Sequence, residues 1–361
     1  MIEDKTKLII VQTVLPDYRS EFFKLISNTY NNFSLYGGTY YFDKSIVSSD
    51  LIEKKTIKNY FLFKRRLLFQ TGIWHLLFKN VILVLEMNPR IISNWIFLIF
   101  RRLLKKETIL WGHAWSKNGK NSNSEKVRTL MKLLSTKIIV YTDKQKDELK
   151  QIMPKKTILS APNSLISKNR MLTECPDEYL NIIYVGRLTK HKKPFFLVKV
   201  FVENLDQYPT NSNLIIVGAG VEQNRIANYI KENKIESRVK LMGHISNYDT
   251  LKKLYRNSFF SVSPSLAGLS ITQSFSFGVP MIISEYERHG PEIEAVQIGF
   301  NALFFKTDSS ESFHEVLCLA FKNKDFWLQK RKSIVAFCEN KYSIEAMSSV
   351  FLDLNKKNNN T

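Results

Sequence analysis

Cysteine is scarce in this sequence, and its scarcity excludes two kinds of stabilised domain. The 361 residues include three cysteines, Cys175, Cys318 and Cys338. They are scattered and form no C-x-x-C pair, so neither a disulfide framework nor a zinc site is indicated. This pattern is typical of a protein from a reducing compartment. A chain of this length accommodates two hydrophobic cores, since single cores usually stop growing near about 250 residues.

The sequence also lacks D-x-D motifs and long apolar runs. Without a D-x-D pair of carboxylates we expect no bound metal, and no other cofactor is indicated. The apolar run in MIEDKTKLIIVQTVLPDYR is too short for the core of a signal peptide, and no other run is long enough to span a bilayer. We therefore expect a cytoplasmic protein.

Acidic residues are few relative to basic ones. There are 33 Asp and Glu against 53 Lys and Arg, which gives a formal net charge of +20. Such a charge indicates an anionic partner. The candidates are nucleic acid, an anionic lipid surface and a phosphorylated substrate. Because the sequence shows no RRM, KH or helix-turn-helix pattern, we expect no nucleic-acid partner.

Short β-rich runs alternate with segments of helical spacing along the chain. In the first half the runs are KLIIVQTVL (7–15), NVILVLEM (80–87), TILWG (108–112) and KIIVYTD (137–143). In the second half they are NIIYVGR (181–187), NLIIVGAG (213–220), RVKLMGH (238–244), SFFSVSPS (258–265) and VPMIISE (279–285). This alternation predicts an α/β protein with two doubly wound, Rossmann-like parallel sheets that face each other across a cleft.

A polar connector near residues 165–180 separates the two halves. We place an N-terminal domain at residues 1–168 and a C-terminal domain at residues 169–337. Residues 338–361 are expected to form a last helix and a polar tail. Ligands of such folds bind at the carboxyl ends of the strands.

Two cations follow the first strand of the second half. In YVGRLTKHKKP, Gly186, Arg187 and Lys192 lie between a strand and an amphipathic helix. The planar fork of arginine and the mobile charge of lysine suit a diphosphate, and the start of the helix adds to the attraction. The alternative is a basic surface loop without a ligand.

A second candidate loop, PSLAGLSITQSFSFGVP (264–280), carries no charge. It follows a strand, and Gly278 with Pro280 is expected to end the helix that it begins. Backbone N–H groups around residues 268–271 are expected to form an anion site there.

Glycine turns follow two more strands of this half. Gly218 lies in VGAGVEQNRI, which lacks the full G-x-G-x-x-G pattern and is weak evidence when taken alone. LMGHIS supplies His244, which is equally consistent with a solvent-facing turn residue.

Together these motifs resemble the GT-B glycosyltransferases of the retaining family four, or group 1, type, in its bacterial surface-polysaccharide class. VGRLTKHKKP resembles the family's G-R-x-x-x-x-K clamp, VGAG its V-G-x-G turn, and LMGHIS the turn before its nucleotide pocket. GPEIEAVQIGFNALFF resembles its P-E segment, and SPSLAGLSITQSFSFGVPMII aligns with the segment that holds two glutamates. The resemblance covers nearly the whole chain and implies a GT-B fold whose last helix crosses back to the N-terminal domain.

Both family glutamates are replaced in this sequence. Counted back from Gly278 and Pro280, the glutamate near the donor sugar falls on Ser265 and the ribose-binding glutamate on Gln273. The amide of Gln273 can still donate and accept hydrogen bonds to ribose. Glu292 in HGPEIEA is expected to take over part of the sugar or ribose contact, and the alternative is an acid at a helix N-terminus. An inactive domain is the other explanation for the two replacements.

The resemblance also implies roles in the N-terminal half. Asp17, Tyr18 and Arg19 in TVLPDYR follow the first strand, where the family has its acceptor-facing loop. His113 in LWGHAWSK follows a later strand and is expected to bond a donor sugar hydroxyl or to shuttle a proton. A histidine packed between two tryptophans is the alternative.

The predicted function is transfer of a hexosyl group from a nucleoside diphosphate sugar to a glycan or lipid-linked oligosaccharide in O-antigen, lipopolysaccharide or capsule synthesis. The departing diphosphate needs charge compensation, which we expect from protein cations in place of a metal ion. A non-catalytic nucleotide-sugar-binding or glycan-binding paralogue is the alternative. The expected catalytic residues are His113, Arg187 and Lys192, and the expected donor-binding residues are Gly186, Gly218, His244, Ser265, Gly268, Leu269, Ser270, Gln273 and Glu292.

Two basic, aromatic segments are expected to be helices that rest on an anionic membrane. They are FLFKRRLLFQTGIWHLLFKN (61–80) and RIISNWIFLIFRRLLKKE (90–107). Trp, Phe and Leu would face inward and Arg and Lys the headgroups, which makes the inner membrane surface an expected partner. A core-facing amphipathic helix with a solvated basic back is equally consistent.

Overall fold

The chain divides into two compact units, here called unit 1 and unit 2. Unit 1 comprises residues 1–165 and 344–361, and unit 2 comprises residues 166–343. The computed structural model describes residues 6–44, 46–116, 119–171 and 180–355. Cys175 lies outside the described residues. The units divide at 165/166 and 343/344, close to the domain boundaries predicted at 168/169 and 337/338.

Unit 1 contains a seven-stranded parallel sheet and a separate antiparallel hairpin. Its strands are β1 (Leu8–Gln12), β2 (Phe33–Gly37), β3 (Lys55–Thr56), β4 (Lys58–Leu62), β5 (Leu67–Thr71), β6 (Ile82–Glu86), β7 (Thr108–Trp111), β8 (Lys137–Val140) and β9 (Thr157–Ser160). The order in the sheet is β3-β2-β1-β6-β7-β8-β9, while β4 pairs with β5. The central strands are almost wholly apolar, as expected for a parallel sheet that is covered on both faces.

Helices cover the two faces of this sheet. They are α1 (Ser20–Thr29), α2 (Ile92–Leu103), α3 (Asn123–Leu134) and α4 (Asp143–Ile152). Alternate residues of β1 enter different cores because side chains alternate along a strand. Ile9 packs in one core with Phe97 of α2, and Ile10 packs in the other with Phe22 of α1.

The segment 61–80 is not the helix that we predicted from its basic and aromatic residues. It contains part of the β4–β5 hairpin and a short 3-10 turn. Phe63, Lys64 and Arg65 all have positive φ, at 49°, 51° and 64°, and reverse the chain between the two strands. α2 does lie within the segment predicted at 90–107. Among the described residues no helix is long and apolar enough to cross a membrane.

Unit 2 contains a six-stranded parallel sheet in the order β12-β11-β10-β13-β14-β15. Its strands are β10 (Asn181–Val185), β11 (Leu214–Val217), β12 (Val239–Leu241), β13 (Ser258–Ser263), β14 (Met281–Ser284) and β15 (Ala302–Phe305). Its helices are α5 (Pro194–Glu203), α6 (Gln223–Glu232), α7 (Tyr248–Arg256), α8 (Leu269–Ser276), α9 (Ser310–Lys322) and α10 (Lys324–Lys341). Gly278, with a φ of +68°, follows α8 closely, as expected for its terminator.

The C-terminal boundary lies after α10 because α10 is bonded into unit 2. The buried guanidinium of Arg331 donates to the carbonyl oxygens of Ser258 at 2.5 Å and Phe277 at 3.3 Å. The next helix, α11 (Ile344–Leu352), belongs to unit 1. There the ring of Phe351 lies 5.2 Å from the ring of Phe22.

Candidate functional site

The loops of interest in unit 2 leave the sheet at its topological switch point. β10 lies between β11 and β13, so the connections from β10 and β13 diverge. In open parallel sheets a ligand crevice forms outside the carboxyl ends of such strands. Residues 186–193 follow β10, and residues 264–268 follow β13. The two loops that the sequence singled out are therefore neighbours.

Hydrogen bonds join these two loops. The ammonium of Lys192 donates to the carbonyl oxygen of Leu266, and Ser265 Oγ donates to the carbonyl oxygen of His191, both at 2.7 Å. Burial lowers the pKa of Lys192, and the positive charge of Arg187 lowers it further. Lys192 and Arg187 are thus close together. The buried hydroxyl of Ser265 joins the loops instead of projecting from them.

Arg187 and the start of α8 supply the other positive groups. Arg187 is exposed and forms no ion pair with a described residue. Gly268 precedes α8 with a φ of −151° and a ψ of −125°, and no described side chain caps the helix there. Leu269 and Ser270 form the first turn and are half-buried. Because the free N–H groups of a helix start attract anions, this arrangement can hold a phosphate together with Arg187 and Lys192.

Gln273 lies one turn further along α8. Its side chain is half-buried, and its spacing of four residues from Leu269 places both on one helix face. The amide makes no hydrogen bond within the described part of the chain. Its donor and its acceptor are therefore available to a ligand hydroxyl.

A segment after β14 approaches the start of α8. The Gly290 N–H donates to the Ala267 carbonyl oxygen at 2.7 Å, and the Ala267 N–H donates to His289 Nδ1 at 3.1 Å. Glu292 is buried in the next turn. A Cβ atom on Gly290 would lie 2.5 Å from Glu292 Oε2, and one on Gly268 would lie 3.7 Å from it. The carboxylate of Glu292 therefore lies beside the first turn of α8.

The sequence did not single out His289. Since its Nδ1 accepts a hydrogen bond, its ring proton is assigned to Nε2, which is buried and has no hydrogen-bond partner among the described residues. Burial lowers the pKa of His289, so the ring is neutral near pH 7. Its partner Ala267 lies 22 residues earlier, and no local spacing connects the two positions.

Gly218 brings the loop after β11 against the loop after β10. Its φ is +148°, and a Cβ atom there would lie 1.9 Å from the carbonyl oxygen of Gly186, so only glycine fits. The Gly218 N–H donates to the carbonyl oxygen of Gly243 at 2.8 Å. His244 is exposed beside this turn, and its ligand contact stays a prediction.

In unit 1 the expected acceptor-side residues form a 3-10 turn after β1. Asp17 and Tyr18 are exposed, and Asp17 Oδ1 accepts from the Tyr18 N–H at 2.7 Å. Arg19 is half-buried, and its Nη2 lies 3.1 Å from Asn163 Oδ1 and 3.5 Å from the hydroxyl of Tyr141. The three residues share one turn, but only Arg19 is directed into the protein.

His113 follows β7 and is exposed. Its ring lies edge-on to the ring of Tyr141 at 4.8 Å, and its carbonyl oxygen accepts from Arg128 Nη2. The exposed ring does not fit the alternative of a histidine packed between two tryptophans. Tyr141 and Arg128 were missed from the sequence, because Tyr141 ends a strand run without a motif and Arg128 lies mid-helix.

Glu86, also missed, marks the switch point of unit 1. β1 lies between β2 and β6, and Glu86 is the last residue of β6. Its Oε2 accepts from the N–H of Thr13 at 3.1 Å and from its hydroxyl at 2.7 Å. Its Oε1 accepts from Asn88 at 3.2 Å and lies 3.5 Å from the hydroxyl of Tyr41. In the described ranges, no three His, Cys, Asp or Glu side chains are grouped as a metal site.

Residues 167–337 match the family Glycosyl transferases group 1. The chain is also similar to an uncharacterized glycosyltransferase of Haemophilus influenzae. The two are 26% identical over 264 residues, which cover 70% of this chain and 71% of the relative. The family match includes every proposed phosphate contact of unit 2.

Solved structures share the fold. Anabaena Alr3699/HepE in complex with UDP aligns with a TM-score of 0.68 at 13% identity, covering 96% of this chain and 98% of that one. The apo form of the lipopolysaccharide outer core galactosyltransferase WaaB aligns with a TM-score of 0.63 at 16% identity, with coverage of 96% and 98%. The predicted α/β class with Rossmann-like parallel sheets is confirmed. The chain thus has the GT-B fold, and its residues 167–337 are similar to the glycosyl transferases group 1 family.

Proposed function

We propose that this glycosyltransferase moves a hexosyl group from a nucleoside diphosphate sugar to a glycan or lipid-linked oligosaccharide, in surface-polysaccharide synthesis of the O-antigen, lipopolysaccharide or capsule type. The observation that carries the proposal is the meeting of Arg187, Lys192 and the uncapped start of α8 at the switch point of unit 2. A UDP complex of one protein of this fold, and the lipopolysaccharide substrate named for another, support the donor and acceptor classes. We place the enzyme in the cytoplasm.

Charge compensation is the main task of this arrangement. When the sugar leaves, negative charge grows on the diphosphate oxygens. Arg187 offers a planar fork of N–H donors, and Lys192 offers a point charge whose ammonium is held by its hydrogen bond to Leu266. The N–H groups that follow Gly268 add attraction without a net charge. Contacts that strengthen as the charge develops lower the barrier, and this is the role we assign to them.

Other residues position the substrates. We assign ribose binding to Gln273 and contact with the donor sugar to Glu292, because both lie on or beside α8. Asp17, Tyr18 and Arg19 are assigned to the acceptor, and His113 to a sugar hydroxyl or a proton. The remaining donor-side residues, which shape the loops or line them, are Gly186, Gly218, His244, Ser265, Gly268, Leu269 and Ser270.

Arg187 and Lys192, here called the donor clamp, are tested with two variants and a control at a neighbouring residue. Arg187→Ala and Lys192→Ala should each weaken UDP binding by about tenfold or more and lower turnover of UDP-sugars by about a hundredfold. Lys190→Ala removes the same charge from an exposed site in the same loop. It should leave UDP binding and turnover near the parent values. Calorimetry measures binding, and release of UDP measures turnover. Parent-like behaviour of both clamp variants would disprove the assignment.

We also propose that catalysis needs no metal ion, because Arg187 and Lys192 place positive charge where a metal would act. Activity should therefore persist after dialysis against EDTA. Activity that disappears with EDTA and returns with Mg²⁺ would show that a metal performs part of this work.

The proposed membrane contact is the exposed face of α2 and α3, here called the α2–α3 face. Its exposed apolar residues are Ile99, Phe100, Leu103, Val127, Leu130 and Leu133. Arg102 connects the two helices by donating to the Leu133 carbonyl oxygen at 2.8 Å, and Lys105 and Lys106 follow α2. Arg101 is buried and does not face headgroups, contrary to our expectation for the basic residues of this helix. We assign this face to the inner surface of the membrane.

A second candidate is a non-catalytic protein that binds nucleotide sugars or glycans. The observation that favours it is Ser265, whose hydroxyl is bonded to the His191 carbonyl oxygen where the family has a glutamate. A binding protein would bind UDP in calorimetry without hydrolysing or transferring the sugar of any UDP-sugar. Transfer with multiple turnovers would exclude it.

A further inference from the structure

Unit 1 carries two arginines at the carboxyl edge of its sheet that form no ion pair within the described part of the chain. Arg19 lies in the turn after β1, and Arg128 lies on α3. Both side chains are half-buried. Arginine stays charged in proteins, so each guanidinium needs other contacts in place of the water that burial has removed.

Aromatic rings and one amide surround the guanidinium of Arg19. Its Cζ lies 4.4 Å from the centre of the Trp111 ring and 5.9 Å from that of Tyr141. Nη2 is bonded to Asn163, but Nη1 is buried and has no hydrogen-bond partner among the described residues. Stacking on aromatic faces offsets part of the cost of burying the cation but leaves this N–H group unsatisfied.

The surroundings of Arg128 are similar. Its Nη2 donates to the carbonyl oxygen of His113, whose ring contacts Tyr141, while its Nε is buried with no partner in the described ranges. Burial lowers the pKa of Arg128, and Glu125, Tyr141 and Glu86 are close enough to oppose the shift. Tyr141 is thus the common neighbour of the two arginines.

The carboxylates near this cluster are already engaged. Glu125 forms a buried pair with Lys132 at 2.7 Å. Glu86 accepts two hydrogen bonds from Thr13 and one from Asn88. The two guanidinium groups therefore keep unused donors beside the switch point of the sheet, where folds of this kind bind their ligands.

We propose that Arg19 and Arg128 form an oxyanion subsite in unit 1 that binds a phosphoryl or carboxylate group of the acceptor. This inference rests on the proposed function, because it specifies the acceptor that unit 1 is assigned to bind. Guanidinium groups match both oxyanions through paired N–H donors. The acceptor is accordingly anionic, and it is either a glycan on a lipid phosphate or a glycan with an acidic sugar.

Binding of small oxyanions tests the subsite without knowledge of the acceptor. Inorganic phosphate, glucuronate and, as a neutral control, glucose are titrated by calorimetry into the Arg187→Ala, Lys192→Ala double variant, which lacks the proposed donor clamp. One of the two anions should bind saturably, and glucose should not bind. Adding Arg19→Gln or Arg128→Gln should weaken anion binding by about tenfold or more. Preference for phosphate indicates a phosphoryl group, and preference for glucuronate indicates an acidic sugar.

Three controls separate the subsite from general charge, from folding and from the donor clamp. Arg66→Gln removes an exposed arginine of the same unit and should change anion binding by less than about twofold. Arg19→Lys keeps the positive charge but lacks the planar fork of the guanidinium. Added to the double variant, it should weaken anion binding, and this test remains available if Arg19→Gln does not fold. UDP binding by Arg19→Gln, in an otherwise unchanged chain, should equal that of the parent. Anion binding that Arg19→Gln and Arg128→Gln leave intact, or no binding of either anion, overturns the proposal.

Discussion

Ser265 and Gln273, which we align with two family glutamates, have different surroundings. The Ser265 hydroxyl is buried and bonded to a backbone carbonyl oxygen, whereas the Gln273 amide has no hydrogen-bond partner within the described residues. A neutral amide near a diphosphate avoids the repulsion that a carboxylate would add. At the scale of single residues, Gln273 is therefore the replacement that we expect to bind a ligand.

Gln273→Ala should weaken UDP binding by about 1 to 3 kcal/mol, because ribose hydroxyls would lose their partner. Gln273→Glu should bind UDP within about tenfold of the parent. Gln329→Ala, at an exposed position of α10, is the matched control. Calorimetry measures the dissociation constants and circular dichroism checks folding. If Gln273→Ala binds UDP like the parent, this residue does not contact the ribose.

His289 makes stability depend on pH in a defined direction. Burial lowers its pKa in the folded state, so the unfolded chain binds the proton more readily. Stability should be complete above the ordinary histidine pKa of about 6.5 and should fall as the pH drops below it, through the lowered pKa of the folded state.

The variant His289→Asn isolates this effect, since its amide oxygen can still accept from the Ala267 N–H. The loss of thermal stability between pH 7 and pH 5 should be smaller in this variant than in the parent. His244→Asn makes the same change at an exposed position and should keep the parental slope. Equal slopes for all three proteins would contradict the role of His289.

Arg101 shows how one side chain joins several elements of unit 1. It is buried on α2 and donates to the carbonyl oxygens of Leu76 at 2.7 Å, Val81 at 2.8 Å and Glu107 at 2.8 Å. Burial lowers its pKa to about 10, and Glu107 opposes the shift. At the scale of elements, Arg101 connects α2 to the chain segments that enter β6 and β7.

Arg101→Met should reduce the free energy of unfolding by at least about 3 kcal/mol, because several carbonyl groups lose their donors. Arg102→Met, at the next position, removes a single bond at an exposed site and should cost less than about 1 kcal/mol. Urea denaturation compares the two. A loss in Arg101→Met as small as that expected for Arg102→Met would mean that the network contributes little.

The sequence predicted the elements of this fold unevenly. Long apolar runs correctly indicated central strands such as β1, β6, β10 and β13, because strands buried on both faces carry that pattern. β9 and β15 were missed; both are edge strands that are only partly buried, whereas β7 and β11, which are equally short but buried throughout, were predicted. The hairpin was taken for a helix because basic and aromatic residues hid the period of two in β5, where buried and half-buried positions alternate.

The candidate site was predicted where a strand end and a motif coincide. Arg187 and Lys192 follow β10 in a recognisable pattern, and the structure brings them together. His289, Arg128 and Tyr141 lie in no recognisable motif. Their part in the site depends on contacts between segments that are distant in sequence, and a single sequence does not reveal such contacts.

At the scale of the whole molecule, a net charge of +20 combines with the apolar α2–α3 face. The protein should bind vesicles that contain phosphatidylglycerol and not neutral vesicles, and salt should weaken the binding. Leu103→Asp should reduce it by about tenfold, since Leu103 is 74% exposed on this face.

Leu51→Asp is the control for this prediction, because Leu51 is 73% exposed on a loop before β3. It adds the same negative charge, so it should retain most of the binding in vesicle sedimentation. Binding that ignores lipid charge, or that falls equally in both variants, would contradict a membrane role for the α2–α3 face.

The return of the chain to unit 1 sets an order for biosynthesis. A ribosome makes all of unit 2, residues 166–343, before it makes α11, whose Phe351 lies 4.8 Å from Trp111 in unit 1. Unit 2 is continuous and can fold on the nascent chain, while the first sheet keeps an uncovered apolar face until α11 emerges. Such a face is a target for chaperones. The part of the protein that is translated first is thus the part that is completed last.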